Sequence, residues 1–198
     1  MNRNLNTELQ VRLSQVKLLA LDVDGVLTDG GLYYSNSGEE LKKFNVKDGQ
    51  GIKLVIQAGI EVVIISASNS AATLHRAKKL GIKRALIGIE DKLAILKQIC
   101  KELNLSLAQV AYVGDDLNDL PILKSVGCPL TVADAIPENK INAVYVTELK
   151  GGQGCVREIC NLLLQVHQRD LQASLSNGGV PSSAIEIISD IKSQILFD

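Results

Sequence analysis

The sequence predicts a doubly wound, Rossmann-like α/β fold, in which a mostly parallel sheet is covered by helices on both faces. Short apolar runs rich in β-branched residues alternate along the chain with longer runs whose apolar residues recur at helical spacing. Several of the short runs end on clustered polar residues. The chain has 198 residues, of which 46% are hydrophobic, and this suffices for one domain with a substantial core.

The first predicted strand, residues 16–21, is apolar and stops at Asp22, with Asp24 one residue further on. Alternate residues of a strand point to the same side, so both carboxylates face one side of the strand end. Two carboxylates held together repel each other unless one binds a proton or a cation lies between them. The pattern therefore favours a hard divalent metal. The alternative is that both residues simply form a turn before Gly25.

A short insertion follows the first strand. Two strand-like runs, 31–34 and 40–44, flank the turn-forming residues Ser35-Asn36-Ser37-Gly38, which predicts a β-hairpin within about residues 30–46. A helix is predicted to begin already at Gly49. The interval is too short for a lid domain, so we expect an open site.

Polar side chains also follow the next predicted strand and open a later helix. The strand 61–65 ends at Ser66, and Lys92 begins the helical run 92–103 directly after Asp91. Taken singly, Ser66 is more often a turn residue and Lys92 a solvated residue of a first helical turn. Their value as site residues depends on the acids that accompany them.

A second acidic strand end comes after residues 109–113. Gly114 is followed by Asp115 and Asp116, and Asp119 lies four residues after Asp115. Because the carboxyl ends of parallel strands meet at one edge of a sheet, these acids are expected near Asp22 and Asp24.

The remaining pattern completes the fold and leaves a tail. The other predicted strands are 84–87, 129–132 and 143–146. The predicted helices are 49–58, 70–80, 92–103, 117–125 and 152–166. We expect one domain over residues 1–167 and a C-terminal segment over 168–198, with a Ser-, Asn- and Gly-rich linker and then an amphipathic helix.

Composition excludes several classes of function. The net charge is −1, with 21 basic and 22 acidic residues intermixed, so neither nucleic acid nor a membrane surface is an expected partner. The same charge balance leads us to expect a small substrate. No run reaches transmembrane length and the start has no signal-peptide core, so a cytoplasmic location is expected. The four cysteines lack C-x-x-C spacing and only two histidines occur, which argues against zinc and against a Ser-His-Asp hydrolase.

In chain order, the polar residues at these element ends form the series Asp-x-Asp, Ser, Lys and Gly-Asp-Asp-x-x-Asp. The series resembles the four motifs of the haloacid dehalogenase superfamily of phosphotransferases. The matching positions are Asp22, Asp24, Ser66, Lys92 and residues 115–119.

A narrower resemblance covers about residues 14–167. The short hairpin, the absence of a lid domain and the segment Gly151-Gly152-Gln153-Gly154-Cys155-Val156-Arg157-Glu158 are similar to the phosphatases of 3-deoxy-D-manno-octulosonate 8-phosphate. Close relatives of that family act on nonulosonate (sialic-acid-type) 9-phosphates. The resemblance implies a homotetramer, in which a neighbour's hairpin and C-terminal segment help to close the site.

The resemblance also assigns roles. It implies that Asp22 is the nucleophile, forming an aspartyl phosphate, and that Asp24 is the general acid and base. Mg²⁺ would be held by Asp22, by the main-chain carbonyl of Asp24 and by Asp115. Ser66 would donate a hydrogen bond to the phosphoryl group, and Lys92 would offset its negative charge.

Secondary and substrate-binding roles follow in the same way. Asp119 is expected to orient the metal waters or Lys92, and Asp116 to cap the following helix. For the substrate, Arg76 and Lys79 match pocket positions of the relatives, although a solvated helix face is equally consistent with both. Arg157 could bind a sugar-acid carboxylate, or form an ion pair on the helix surface.

The expected activity is therefore Mg²⁺-dependent hydrolysis of a small anionic sugar phosphate, 3-deoxy-D-manno-octulosonate 8-phosphate first, which belongs to lipopolysaccharide biosynthesis. A nonulosonate 9-phosphate is the alternative, because Ala67 and Ser68 match neither the Gly-Arg nor the Gly-Glu pair that usually follows the motif serine in the two branches. A phospho-accepting receiver module uses similar residue types, but its phosphorylated Asp stands at the third strand. A non-catalytic scaffold would not need the acids.

Overall fold

The computed structural model describes residues 6–176, with side chains up to residue 169. Its strands are β1 (Leu18–Leu21), β2 (Tyr33–Tyr34), β3 (Glu40–Leu41), β4 (Glu61–Ile65), β5 (Arg84–Leu86), β6 (Val110–Val113), β7 (Cys128–Thr131) and β8 (Tyr145–Val146). Its helices are α1 (Thr7–Ser14), α2 (Val46–Gln57), α3 (Ala71–Leu80), α4 (Lys92–Glu102), α5 (Leu120–Leu123), α6 (Pro137–Asn142) and α7 (Cys155–Ser176).

The main sheet has six strands in the order β5-β4-β1-β6-β7-β8, and every pairing in it is parallel. From β1 the chain fills one half of the sheet with β4 and β5, and then the other half with β6, β7 and β8. The predicted α/β class is confirmed. Open sheets of this kind bind ligands where the order reverses, outside the carboxyl ends of the central strands.

Strand β1 shows how the sequence builds the two layers. Leu19 and Leu21 pack into the core on the side of α1, α2 and α7, and Leu18 and Ala20 into the core on the side of α4 and α5. All four are fully buried. A strand covered on both faces needs apolar residues at every position, which is why this segment is an unbroken apolar run.

The predicted hairpin is present: β2 pairs antiparallel with β3, with Tyr33 opposite Leu41 and Tyr34 opposite Glu40. Gly38 has a φ of 82°, a conformation that glycine adopts without strain. The helix predicted over 117–125 is divided into a short 3-10 helix, Leu117–Asp119, and α5, where Pro121 occupies the first turn.

The predicted helix over 152–166 is longer in the structure, since α7 continues to Ser176. The division into a domain over 1–167 and a segment over 168–198 stays a prediction, and the linker and last helix lie mostly outside the described residues. All four cysteines are free and buried. Within residues 6–176, none of the helices combines the length and the apolar character needed to cross a membrane.

Candidate active site

The nucleophile predicted by the sequence lies at the carboxyl end of the central strand. Asp22 follows β1 directly, and its N–H donates to Val113 O on β6 over 3.0 Å. The side chain is 5% exposed. The loop then turns at Gly25, where a Cβ would overlap the carboxylate of Asp115. Glycine at this position therefore lets the loop approach the second acidic strand end.

Three carboxylates meet at this point. Ligand atoms of Asp22, Asp115 and Asp119 all lie within 4.8 Å of one another. Asp119 differs from the other two carboxylates in its environment. Its side chain is 0% exposed, and both of its oxygens accept hydrogen bonds. Its Oδ1 accepts from Lys92 and Tyr112, and its Oδ2 accepts from the N–H groups of Asp115 and Asp116.

Lys92 lies between two of these acids. Its Nζ is 2.9 Å from Asp22 Oδ1 and 2.7 Å from Asp119 Oδ1, and its side chain is 1% exposed. Burial alone would lower the pKa of this ammonium, but Asp22 and Asp119 outweigh burial and leave the pKa raised. Lys92 is thus a buried cation fixed against Asp22.

The negative charges of Asp22 and Asp115 are not fully compensated within the described residues. Burial first, and then repulsion from Asp119, raises the pKa of Asp22 to about 7 in spite of Lys92. Burial and the neighbouring carboxylates, Asp22 foremost, raise the pKa of Asp115 to about 7 as well. The buried Oδ1 of Asp115 has no hydrogen-bond partner. A hard divalent cation between Asp22 and Asp115 would satisfy both groups, so the donor set fits Mg²⁺.

A pocket of about 130 Å³ opens onto this cluster. Ser66, which follows β4 and is 1% exposed, lies in its wall. The pocket is lined by Asp22, Asp24, Ser66, Ala67, Ser68, Asp115, Asp116 and Asn118. The structure thus brings Asp22, Asp24, Ser66 and Asp115 to one pocket, with Lys92 and Asp119 buried behind them.

The haloacid dehalogenase-like hydrolase family model matches residues 89–159. The chain is 44% identical over 160 residues to the 3-deoxy-D-manno-octulosonate 8-phosphate phosphatase KdsC of Salmonella typhi, which covers 81% of this chain and 85% of the relative. It is 46% identical over 153 residues to KdsC of Yersinia pestis, over 77% of this chain and 82% of the relative. The chain belongs to the octulosonate phosphatase family of haloacid dehalogenase-like hydrolases.

Solved structures of the octulosonate phosphatase family share the fold. The Yersinia pestis enzyme has a TM-score of 0.81 and 43% identity, covering 82% of this chain and 88% of that chain. The Moraxella catarrhalis enzyme, solved in complex with magnesium ion, phosphate ion and KDO, has a TM-score of 0.80 and 37% identity, over 86% of this chain and 97% of that chain. Membership of this family decides against the receiver-module alternative.

The three residues predicted to bind substrate lie outside the pocket lining. The Arg76 guanidinium donates from Nη2 to Asn45 O over 2.9 Å and lies 5.8 Å from the Phe44 ring centroid. Lys79 is exposed on α3. Arg157, on α7, donates from Nε to Asn161 Oδ1 over 2.9 Å. Their part in substrate binding stays a prediction.

The segment with three glycines, 151–154, supports the loop after β1. A Cβ on Gly151 would overlap Gly25 O, and Gly152 N donates to Val26 O over 2.9 Å. The Cys155 thiol donates to the same carbonyl. These glycines therefore allow two backbones to touch behind Asp24 and Gly25, a role that the sequence alone did not assign to them.

The sequence interpretation also missed Lys42 and Tyr112. Lys42 follows β3 and reaches Asp24, and Tyr112, fully buried on β6, donates its hydroxyl to Asp119 Oδ1 over 2.5 Å. Tyr112 stands in an apolar strand, where a hydroxyl usually seeks a buried acceptor, and this is a signal that could have been used. Nothing in the sequence separates Lys42 from its neighbour Lys43.

Proposed function

We propose that this protein is a Mg²⁺-dependent phosphomonoesterase that hydrolyses 3-deoxy-D-manno-octulosonate 8-phosphate to the free sugar acid and phosphate. The observation that carries the proposal is a buried Asp22, held by Lys92 beside the unpartnered oxygen of Asp115, in a chain of this family. We further propose that it acts in the cytoplasm.

In the first step, a carboxylate oxygen of Asp22 attacks phosphorus. The new O–P bond forms as the bond from phosphorus to the sugar oxygen breaks, which gives an aspartyl phosphate. Asp24, in the pocket wall, transfers a proton to the departing sugar oxygen. Lys92 keeps Asp22 oriented and balances part of the charge that gathers on the phosphoryl oxygens.

In the second step, a water molecule attacks the phosphorus of the aspartyl phosphate. Asp24, now ionised, accepts the proton of that water, and the Asp22 carboxylate is released with inorganic phosphate. Ser66 is placed at the pocket wall to donate a hydrogen bond to a phosphoryl oxygen. Asp22, Asp115 and the main-chain carbonyl of Asp24 would hold Mg²⁺, which would supply positive charge at the transferring phosphoryl group.

The site also supports the proposal that neighbouring subunits take part. The substrate carries a carboxylate as well as a phosphate, yet among the described residues no Lys or Arg side chain lines the pocket. An anionic sugar acid needs a cation for recognition. We propose a homotetramer in which an adjacent subunit supplies it.

A nonulosonate 9-phosphate is the second candidate substrate. Ala67 and Ser68 line the pocket and have neither of the side chains that usually distinguish the two branches of the family. The larger ester is therefore not rejected at these two positions.

The test is a comparison of kcat/KM on the octulosonate 8-phosphate, a nonulosonate 9-phosphate and a neutral hexose 6-phosphate, with Mg²⁺ and with a chelator. We expect turnover only with the metal, and a preference for the octulosonate ester. Asp22→Asn should abolish turnover, because the amide is not a nucleophile, and the circular dichroism spectrum should stay unchanged.

Asp91→Asn is the matched control. Asp91 accepts from Ala94 N at the start of α4, away from the pocket, and Asn is an equally good capping residue, so this variant should keep wild-type rates. Retained activity in Asp22→Asn would contradict the proposed nucleophile. Equal activity on the neutral hexose phosphate would leave a general phosphatase.

A further inference from the structure

Two adjacent lysines of the hairpin point in opposite directions. The side chain of Lys42 is 1% exposed and that of Lys43 is 60% exposed. Lys42 Nζ lies 2.5 Å from Asp24 Oδ1 and 3.2 Å from Glu40 Oε1. Lys43 instead pairs with Asp29, at the far end of the loop after β1. Two ion pairs thus connect the hairpin to the start and to the end of this loop. The buried one is the pair of Lys42 with Asp24.

Burial of an ammonium group is unfavourable unless partners compensate for the lost hydration. Burial works to lower the pKa of Lys42, but the hydrogen bonds and charges of Asp24 and Glu40 outweigh it and leave the pKa raised. Lys42 therefore stays a cation inside the site. Its charge is shared between Glu40 and Asp24, the carboxylate that the mechanism needs for proton transfer.

The contacts of Asp24 fall on one of its two oxygens. Lys42 Nζ donates to Oδ1, and Thr28 Oγ1 lies 3.5 Å from the same atom. No hydrogen bond from the described residues reaches Oδ2. The carboxylate is 33% exposed and lines the pocket beside Asp22 and Ser66. With Oδ1 occupied as an acceptor, Oδ2 is the oxygen left available for proton transfer.

We propose that Lys42 is a positioning residue for the phosphatase reaction, which fixes Oδ1 of Asp24 and thereby presents Oδ2 to the leaving group. The inference rests on the proposed function. As the bond from phosphorus to the sugar oxygen breaks, the proton moves from Oδ2 to that oxygen, and the O–H electron pair stays on Asp24. In the second step, Oδ2 takes a proton back from the attacking water.

This role predicts a dependence on the leaving group. A sugar alkoxide is a poor leaving group and needs a proton from Asp24, whereas p-nitrophenolate leaves as a stable anion without one. Lys42→Met keeps the length of the side chain and removes its charge. We expect kcat on the best sugar phosphate to fall by about ten- to a hundredfold, with KM changed little, since misplacement of a catalytic group has this effect. On p-nitrophenyl phosphate the loss of kcat/KM should stay below about threefold, because kcat/KM reports the formation of the aspartyl phosphate, a step in which p-nitrophenolate leaves without a proton.

Lys43→Met is the matched control, since it removes the neighbouring and exposed lysine and its ion pair, and it should leave both rates unchanged. Lys42→Arg, which retains a cationic donor, should recover part of the rate on the sugar phosphate. Light scattering and circular dichroism of each variant check that assembly and fold are kept. If Lys42→Met does not fold, the same comparison of esters is made with Lys42→Arg, and there too the larger loss is expected on the sugar phosphate.

An equal loss of kcat/KM on both esters, or a loss confined to KM, would overturn the inference and leave Lys42 an anchor of the hairpin or a contact to substrate. The proposed function would survive that result. Inactivity of the wild type on both esters would instead refute the proposed function, and the inference with it. Turnover of the aryl ester alone by the wild type would refute the proposed function as well as the inference, because no sugar phosphate is then hydrolysed and no alkoxide needs protonation.

Discussion

Asp119 organises the buried side of the active site through four donors. It accepts from the side chains of Lys92 and Tyr112 and from two backbone N–H groups, and so fixes the position of the lysine that contacts Asp22. Asp116, in contrast, accepts from Leu117 N over 2.7 Å at the start of a 3-10 helix. The five residues 115–119 thus contain a ligand candidate, a helix cap and a carboxylate that orients a cation.

The hydroxyl of Tyr112 provides a test of this arrangement. Tyr112→Phe removes one donor to Asp119 Oδ1 and leaves Lys92 less constrained, so we expect kcat to fall by about three- to tenfold. The free energy of unfolding should fall by about 1.5–3 kcal/mol, as for a hydrogen bond to a charged group. Steady-state kinetics and urea unfolding measure the two effects.

Tyr145→Phe is the matched control, because Tyr145 donates to Glu158 Oε1 over 2.6 Å outside the pocket. It should lower stability and leave kcat unchanged. A similar loss of kcat in both variants would show that the Tyr112 hydroxyl has no specific connection to the site.

The raised pKa of Asp115 links metal binding to stability. Without metal, burial and neighbouring carboxylates raise the pKa to about 7, against 3.8 for an ordinary Asp. Between these values the folded protein holds a proton that the unfolded chain releases. The free energy of unfolding therefore falls as the pH rises through this window, by at most about 1.4 kcal/mol per pH unit for one proton.

Asp115→Asn should lose the part of this dependence that Asp115 contributes, because the amide does not titrate, whereas Asp22, whose pKa is also raised to about 7, keeps its own part. The measurement is urea unfolding of both proteins in a chelator, from about pH 5 to about pH 8. Added Mg²⁺ at the upper pH should stabilise the wild type by mass action and have little effect on the variant. Parallel pH profiles for the two proteins would contradict the assignment of Asp115.

The start of helix α7 depends on a side chain of helix α2. Asp48, 1% exposed on α2, accepts from Arg157 N over 2.7 Å and so caps the start of α7. Gly51, one turn later, allows the helices to approach, since a Cβ there would lie 3.0 Å from Cys160 Cβ. The cap fixes α7 directly after the glycine segment that supports the catalytic loop.

Asp48→Ala should therefore cost about 2–4 kcal/mol of unfolding free energy, because it leaves buried N–H groups at a helix N-terminus without an acceptor. Asp91→Ala removes an exposed cap on α4 and should cost about 1 kcal/mol. Urea unfolding of both variants makes the comparison. Equal losses would mean that the contact between α2 and α7 is not a special determinant of stability.

At this scale, the sequence predicted elements whose signals are local. The strands leading to Asp22, Ser66 and Asp115 were predictable because a buried parallel strand must be apolar throughout. Helix α6 was not, since its six residues are too few to show helical periodicity. The roles of Lys42, Tyr112 and Asp48 depend on partners that meet them only in the folded protein. The sequence pattern does not indicate these contacts.

At the scale of the whole molecule, the hairpin has an exposed apolar surface that suits contacts between subunits. Four large apolar side chains of the hairpin region are exposed, Leu32, Tyr33, Tyr34 and Leu41, at 45% to 62%. Exposed apolar groups gathered in one place are typical of interaction sites. Together with the acidic pocket lining, they support the proposed tetramer.

We expect light scattering to give about four times the 21.3 kDa chain mass. Leu41→Glu should dissociate the assembly and lower activity, because a charge would be buried at the interface. Ile141→Glu, at an 82% exposed position on α6, is the control and should keep both mass and rate. A fully active monomer would disprove that neighbours complete the site.

Strand β1 has hydrogen-bonded strands on both sides, and the amide of Asp22 continues its pairing with β6. Amides in such positions exchange with solvent only when the whole domain opens, so the proposed nucleophile, Asp22, belongs to the last part of the protein to unfold. A weakened core, for example Leu19→Ala, would then reduce the number of folded copies without slowing any of them. Inherited variation in the core would alter how much enzyme a cell maintains, and the rate of each surviving molecule would stay constant.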